Sequence, residues 1–138
     1  MKWLFLLIGL LAFLYLGRMN DIVKRFAEAI ARQEGFYVKG SRAQRNNNPG
    51  NVRKDLVGKA IRFDGGFPVY AKIADGWENL YRQVRYFYRG SKIYNPSMTI
   101  EEIAQRYTTT EQKEWAANVA AYLGVTVRTK ASELVAYL

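Results

Sequence analysis

The pattern of apolar and polar positions divides the chain into an apolar amino-terminal segment and a longer part with helical periodicity. The segment runs from Trp3 to Leu16 and is flanked by Lys2 and Arg18. Roughly 14 residues at a helical rise of about 1.5 Å cover about 21 Å, which is shorter than the ~30 Å hydrocarbon core of a bilayer. This length fits a short membrane helix and also the apolar part of a signal peptide.

The residues at the end of this segment favour an anchor that stays attached over a signal that is removed. A cut after Gly17 would put Tyr15 at the third position before it, where signal peptides carry a small residue. The aromatic residues at both ends suit the membrane interfaces, and the long side chain of Arg18 can reach water. We therefore predict a single-pass anchor over residues 1–18, with a removed signal peptide as the alternative, and a separate domain over residues 19–138.

Apolar residues recur at helical spacing through this domain and predict five helices. The first of them carries an apolar stripe formed by Val23, Ala27, Ile30 and Ala31. Residues able to cap a helix precede the first, second, third and last helices: Asn20, Asp75, Thr99 and Thr129. Glycines end the first, second and fourth: Gly35, Gly90 and Gly124. The fourth helix spans about 111–123, and the last carries Leu134, Val135 and Leu138.

Between the first two helices, the segments AIRF and FPVY flank Asp64-Gly65-Gly66, which predicts a β-hairpin. The chain has 138 residues, 49% of them hydrophobic, which is enough for one core and not for two. The expected fold class is therefore mainly α, of the α+β kind. It comprises a single domain with a small β-hairpin, preceded by an N-terminal hydrophobic helix.

A polar loop separates the first helix from the hairpin. From Gln33 to Arg53 it reads QEGFYVKGSRAQRNNNPGNVR, with a lone glutamate, three consecutive asparagines and a Pro-Gly turn signal. Glu34 follows Ile30 and Ala31 at helical spacing, so it points along the core-facing stripe at the C-terminal end of the helix. Burial and the helix dipole both raise the pKa of a carboxyl there, as a glycosidic general acid requires. The alternative is an exposed glutamate at a frayed helix end.

The composition excludes several classes of enzyme. The chain has 0 Cys and 0 His, so it cannot form a disulfide, a thiol nucleophile, a histidine base or an ordinary zinc site. Acid–base chemistry must come from carboxylates, lysine or tyrosine, and neither a metal nor a cofactor is implied. The formal net charge is +9, which favours polyanionic partners such as nucleic acid, anionic lipid or an acidic wall polymer. The 21 Lys and Arg residues are spread along the chain without a DNA-binding helix pattern, which disfavours specific nucleic-acid binding.

Three segments carry a resemblance to a known enzyme family: AIARQEGFYVKGSRAQRNNNPGNVR, FPVYAKIADGWENLYRQV, and IAQRYTTTE with the later VAAYLGV. From about Ile22 to Val125 the chain resembles the phage and bacterial lytic transglycosylases of the lysozyme-like superfamily. The resemblance implies a lysozyme-like fold in which Glu34 is the sole catalytic acid and base. It also implies that the polar loop forms part of a glycan cleft, with a tyrosine of a later helix near the acid. The implied substrate-binding residues are Asn46, Asn47, Asn48, Asn51 and Tyr107.

Two structural alternatives accompany these assignments. At least one of the three consecutive asparagines would merely satisfy loop backbone, and Tyr107 would be an ordinary core tyrosine. The asparagine amides nevertheless suit the hydroxyl and acetamido groups of amino sugars, because each amide offers both donors and acceptors.

The resemblance implies cleavage of peptidoglycan at the β-1,4 bond between N-acetylmuramic acid and N-acetylglucosamine, with a 1,6-anhydromuramyl product. Peptidoglycan glycan strands would be the partner, and residues 1–18 would hold the enzyme in a bacterial envelope or a phage virion membrane. Three alternatives stay open: a hydrolase in which Asp55 or Asp64 steers water, a basic nucleic-acid-binding protein, and a structural membrane protein without activity.

Overall fold

The structure, a computed structural model, describes the backbone of residues 1–137 and the side chains of residues 1–136. It is mostly helical with one small antiparallel sheet and a long apolar helix at the amino terminus, which confirms the expected mainly α composition. The elements in chain order are α1 (Lys2–Gln33), α2 (Arg42–Arg45), β1 (Arg62–Asp64), β2 (Phe67–Val69), α3 (Ile73–Arg89), α4 (Ile100–Tyr107), α5 (Gln112–Leu123) and α6 (Ala131–Tyr137). Leu138, expected in the last helix, lies outside the described residues.

The helix α1 is continuous, and this corrects the predicted helix start at Asn20. Asn20 lies inside the helix because no proline separates the apolar segment from the core stripe, and Gly17 costs only about 1 kcal/mol there. Every residue from 1 to 18 is exposed, whereas full burial begins at Ile22. One stretch of α1 is long and apolar enough to cross a membrane, and none of that stretch is buried within the protein.

The second half of α1 lies at the centre of a single core. Phe26 packs against Phe87 of α3 with ring centroids 5.2 Å apart, and both side chains are fully buried. The helix α5 also packs against α1 and buries Trp115 and Val119. Burial of each large apolar side chain contributes about 1.5–3 kcal/mol, so this packing fixes the end of α1, where Glu34 lies.

The predicted caps are right for α4 and wrong for α3. Thr99 caps α4, because its hydroxyl accepts a hydrogen bond from the Glu102 N–H at 3.2 Å. Asp75 lies inside α3, which begins at Ile73 without a side-chain cap. Its carboxylate pairs with Lys59 at 3.2 Å instead, and its charge still suits the first helical turn because of the helix dipole.

Of three further predicted helix boundaries, two are right and one is wrong. Gly90 and Gly124 end α3 and α5 as predicted, and both have positive φ angles. Thr129, the predicted cap of the last helix, lies in the turn before α6. Its hydroxyl accepts a hydrogen bond from the Thr126 N–H at 3.3 Å, and is therefore used within that turn.

The strands β1 and β2 form the predicted hairpin, in which Asp64 lies opposite Phe67. Its two central residues, Gly65 and Gly66, have φ angles of 57° and 88°, a combination typical of a tight hairpin turn built on glycine. All three residues of β2 are buried, so the hairpin packs on the rest of the domain through this strand. The polar loop also contains the short helix α2, which was not predicted because a single turn shows no periodicity.

Candidate functional site

Glu34 lies at the C-terminal end of α1 in a well-defined turn. The Gly35 N–H bonds the Arg32 carbonyl at 3.1 Å, and the Phe36 N–H bonds the Ala31 carbonyl at 3.0 Å. Gly35 has a φ of 74°, and this pair of bonds is the motif that ends many helices at a left-handed glycine. The predicted stop at Gly35 is confirmed, and the backbone around Glu34 is bonded rather than frayed.

Each carboxylate oxygen of Glu34 accepts one hydrogen bond from a neutral side chain. The indole Nε1 of Trp115 donates to Oε1 at 3.0 Å, and the amide Nδ2 of Asn51 donates to Oε2 at 3.0 Å. Trp115 belongs to α5 and Asn51 to the polar loop, so three separate parts of the chain meet at this carboxyl. Glu34 is half-buried, and Trp115 is fully buried.

These surroundings raise the pKa of Glu34 above the ordinary value of a glutamate. Burial is the main cause, and the hydrogen bonds from Asn51 and Trp115 oppose it only in part. The position at the end of α1 acts in the same direction as burial, because the partial negative charge of a helix C-terminus disfavours an anion. The carboxyl therefore keeps its proton at a higher pH than an exposed glutamate does.

Asn51 has a backbone conformation that few residue types adopt. Its φ is 45°, in the left-handed region where asparagine is tolerated better than most residues. Its Oδ1 is buried and has no hydrogen-bond partner within the described part of the chain. Asn51 therefore supplies one donor to Glu34, while its buried Oδ1 forms no hydrogen bond with the described residues.

The last of the three consecutive asparagines of the loop is a structural residue. Asn48 is fully buried, and its Nδ2 donates to the carbonyls of Val52 and Pro68 at 3.1 and 3.2 Å. Its Oδ1 accepts a hydrogen bond from the Val52 N–H at 3.1 Å. Asn48 exposes no surface that a sugar could touch, so the structure does not support its predicted sugar contact. The residue ties the polar loop to β2 instead.

The two preceding asparagines also bond to the protein. Asn46 is buried and donates to Asp64 Oδ2 at 3.2 Å, so the structure does not support its predicted sugar contact either. Asn47 donates to the Tyr70 carbonyl at 2.9 Å and has a φ of 49°. Asn47 remains partly exposed, so its contact with a glycan stays a prediction.

Two glycines allow the polar loop to approach the helices closely. A Cβ at Gly76 of α3 would lie 1.7 Å from the Asn47 carbonyl oxygen. A Cβ at Gly50 would lie 2.7 Å from the Tyr107 hydroxyl oxygen. Both distances are far inside van der Waals contact, so both positions require glycine while the loop keeps its place on α3 and α4.

Tyr107 adjoins the same carboxyl at the end of α4. Its hydroxyl donates to the Gly50 carbonyl at 2.6 Å, and its ring centroid lies 5.0 Å from that of Trp115. Burial and, second, the negative charge of Glu34 raise the pKa of Tyr107 well above its ordinary value, so the hydroxyl stays protonated. Tyr107 is thus linked to the acid through Trp115, and a contact with substrate stays a prediction.

A cleft of about 550 Å³ opens beside Asn51 and Tyr107. Its wall is formed by the end of the polar loop and the chain that follows it, by α3, by the connection between α3 and α4, and by the end of α4. Glu34 is not part of this wall and is linked to it by the hydrogen bond to Asn51. The volume lies within the ~300–1,000 Å³ range of small-molecule sites, so the cleft can hold several groups of a ligand.

The two aspartates considered for water activation have structural partners. Asp55 accepts hydrogen bonds from the backbone N–H groups of residues 58–60 at 2.9–3.2 Å and from the Tyr70 hydroxyl at 3.1 Å. Burial alone would raise the pKa of Asp55, but these hydrogen bonds outweigh it and lower that pKa. Asp64 Oδ2 accepts the hydrogen bond from Asn46 Nδ2 and lies 3.9 Å from Arg42 Nε.

Sequence reasoning missed two side chains that build the site. Trp115 falls within the fourth predicted helix, where its pattern indicates only core packing, although a buried indole N–H usually needs an acceptor and so points to a polar partner. Asn79 is fully buried in α3, where its Oδ1 accepts from the N–H of Leu56 at 2.7 Å and its Nδ2 donates to the Lys54 carbonyl at 2.9 Å. The sequence signal for Asn79 was an asparagine among core-facing helix positions, because a buried amide needs polar partners.

The described residues contain no group of three or more His, Cys, Asp or Glu side chains that could hold a metal ion. No protein-family model, curated protein or solved structure matches the chain. Any functional conclusion therefore depends on the chemistry of the residues around Glu34 and on the resemblance of the loop motif.

Proposed function

We propose that the protein is a lytic transglycosylase of lysozyme-like fold that cleaves the glycan strands of peptidoglycan. The observation that carries the proposal is the state of the Glu34 carboxyl. It is half-buried at the end of a helix, has a raised pKa, and receives one hydrogen bond on each oxygen from a neutral donor. A carboxyl of this kind can give and take a proton near neutral pH.

In the proposed reaction, the protonated Glu34 first acts as the general acid. It gives its proton to the glycosidic oxygen between N-acetylmuramic acid and N-acetylglucosamine, and the bond from that oxygen to the muramyl anomeric carbon breaks. The leaving sugar departs with a free 4-hydroxyl group. The carboxylate of Glu34 then takes the proton of the muramyl 6-hydroxyl, whose oxygen bonds the anomeric carbon and closes the 1,6-anhydro ring.

The neutral character of both donors supports this double role. A cation bonded to Glu34 would stabilise the carboxylate and lower its pKa, so the residue would no longer start the reaction as an acid. Trp115 and Asn51 orient the carboxyl without adding a positive charge, and their bonds only moderate the effect of burial. Both hydrogen bonds also remain available when Glu34 becomes a carboxylate.

The surroundings of the two aspartates favour transglycosylation over hydrolysis. The Asp55 carboxylate accepts hydrogen bonds from three backbone N–H groups and a tyrosine hydroxyl, and the Asp64 carboxylate accepts one from Asn46. Activation of water by either aspartate would require it to give up some of these bonds. The proposed route needs no second carboxylate, because the substrate's own hydroxyl is the nucleophile and its acetamide supports the transition state.

The position of the enzyme follows from α1 and from the charge of the protein. The exposed apolar stretch of α1 would hold the protein in a membrane, in a bacterial envelope or a phage virion. The net charge of +9 would keep the domain on the anionic wall.

Digestion of purified peptidoglycan by the full-length protein and by a Glu34→Gln variant tests the proposal. The amide has nearly the shape of the carboxyl but cannot deliver a proton, so we expect a rate loss of roughly 10²-fold or more. A Glu28→Gln variant is the matched control, because Glu28 lies on the same helix and its carboxylate bonds Arg32 and Tyr37 at the surface. Activity of the Glu34→Gln variant within a few-fold of the parent would overturn the assignment.

A further inference from the structure

The cleft beside Glu34 carries a concentrated positive charge. Four cations line it, Arg53, Lys54, Lys92 and Arg106, and no Asp or Glu is among its lining residues. Within the described part of the chain, none of the four forms an ion pair. A concave surface lined by charges of one sign raises the local potential and attracts ligands of the opposite sign.

Apolar surface lies between these cations. Tyr86 and Ile93 line the cleft and keep 38% and 49% of their surface exposed, and Leu56 and Tyr94 lie beside them. A mixture of exposed apolar groups and unpaired cations suits a ligand that alternates small apolar groups with carboxylates. It does not suit an uncharged sugar chain alone, which offers no partner for four positive charges.

The shared wall connects this surface to the candidate acid. Asn51 donates to Glu34 and also lines the cleft. Tyr107 lines the cleft as well, and its ring packs against Trp115, which donates to Glu34. This step rests on the proposed function: if Glu34 cleaves peptidoglycan, a ligand in the cleft is continuous with the glycan at the acid. In glycan that carries stems, the lactyl carboxyl of each muramic acid is used in the amide bond to its stem, so the anions of the substrate are the carboxylates of the peptide stems.

We propose that the cleft is a peptide-stem site, in which the four cations bind stem carboxylates and the apolar surface holds the small side chains between them. The preferred substrate is then glycan that carries stems with free carboxylates. Glycan whose stem carboxylates are amidated is a poorer substrate.

A binding measurement tests this site without depending on cleavage. Isothermal titration of a soluble stem peptide, once with free carboxylates and once amidated, is carried out on the full-length Glu34→Gln variant in detergent. Lys92→Gln and Arg106→Gln are introduced separately, and Lys113→Gln is the matched control because Lys113 is an exposed cation of α5 outside the cleft. Each cleft substitution should weaken binding of the free-carboxylate peptide about fivefold, and added salt should weaken it further.

The control and the amidated peptide separate a specific site from general attraction to a basic protein. Lys113→Gln should leave binding unchanged, and the amidated peptide should bind more weakly than the free one. Equal affinity for the two peptides, an equal loss in the control, or no binding of either peptide would overturn the peptide-stem site. Failure of the parent to cleave any wall material, with stem binding intact, would instead remove the proposed reaction and leave the binding site standing.

Discussion

Trp115 donates its indole N–H to Glu34 at 3.0 Å across 81 residues of sequence. The bond joins the end of the long amino-terminal helix to a residue near the start of α5, and the packing of both helices holds it in place. This hydrogen bond therefore depends on how the helices pack in the folded core, and the loop motif alone does not predict it.

Trp115→Phe should shift the pH dependence of activity. The hydrogen bond from Trp115 lowers the pKa of Glu34, so its removal raises that pKa further while the phenyl ring keeps most of the packing. The alkaline limb of the kcat/KM profile, where the acid loses its proton, should move to higher pH. Trp77→Phe is the control, since Trp77 packs against Phe36 and Tyr81 and is not bonded to Glu34. An unchanged limb in the Trp115 variant would show that this hydrogen bond does not tune the acid.

Glu34→Gln should stabilise the folded protein, and more so at higher pH. The folded pKa of Glu34 is raised above its unfolded value, so the stability that this group contributes is present at low pH and is lost as the pH rises through the folded pKa. The glutamine does not titrate. The melting temperature of the variant should therefore exceed that of the parent at neutral pH and approach it in acid. A difference that shrinks with rising pH would contradict the raised pKa.

Asn48→Ala should lower stability without acting on substrate contacts directly. It leaves the Val52 N–H and two carbonyls without their partner in a fully buried site, at a cost of about 2–4 kcal/mol. Urea unfolding measures this, with Asn118→Ala as the control because its single bond to Gln33 is exposed. Unaltered stability together with a raised KM would restore a sugar-binding role to Asn48.

The protein should stay in a membrane fraction after washing with concentrated salt. Apolar side chains of α1 hold it there, and salt does not screen such burial. Leu10→Arg near the middle of the apolar segment should release it, because a central arginine costs about 2.5–3.5 kcal/mol. Arg128→Gln, which removes an exposed charge from the domain, should leave retention unchanged. An intact mass that corresponds to a chain beginning near Arg18 would show instead that the segment is a removed signal peptide.

The sequence predicted those features that depend on neighbouring residues. The glycine stop after Glu34, the hairpin turn at Gly65-Gly66 and the Thr99 cap are local patterns, and the structure confirms all three. The continuity of α1 was missed because Asn20 is an effective cap only where the preceding chain leaves the helix, and here it does not.

The sequence predicted only the part of the candidate site that depends on neighbouring residues. The position of Glu34 on a helix stripe predicted its partial burial and raised pKa. The partners of Asn46 and Asn48 include Asp64 of β1 and Pro68 of β2, and one of the two donors to Glu34 comes from α5. Residues that far apart in sequence give no periodic signal. Only the folded structure therefore shows that Asn46 and Asn48 bond to the protein and that Trp115 bonds to Glu34.

The identity of the muramyl ends released from purified peptidoglycan tests the central claim most directly. Mass spectrometry of the products of the full-length parent should find 1,6-anhydromuramyl ends, each one water lighter than a reducing end, and the Glu34→Gln variant should release almost none of them. Reducing muramyl ends as the main product would contradict the account, because they would require an activated water that neither Asp55 nor Asp64 is placed to supply.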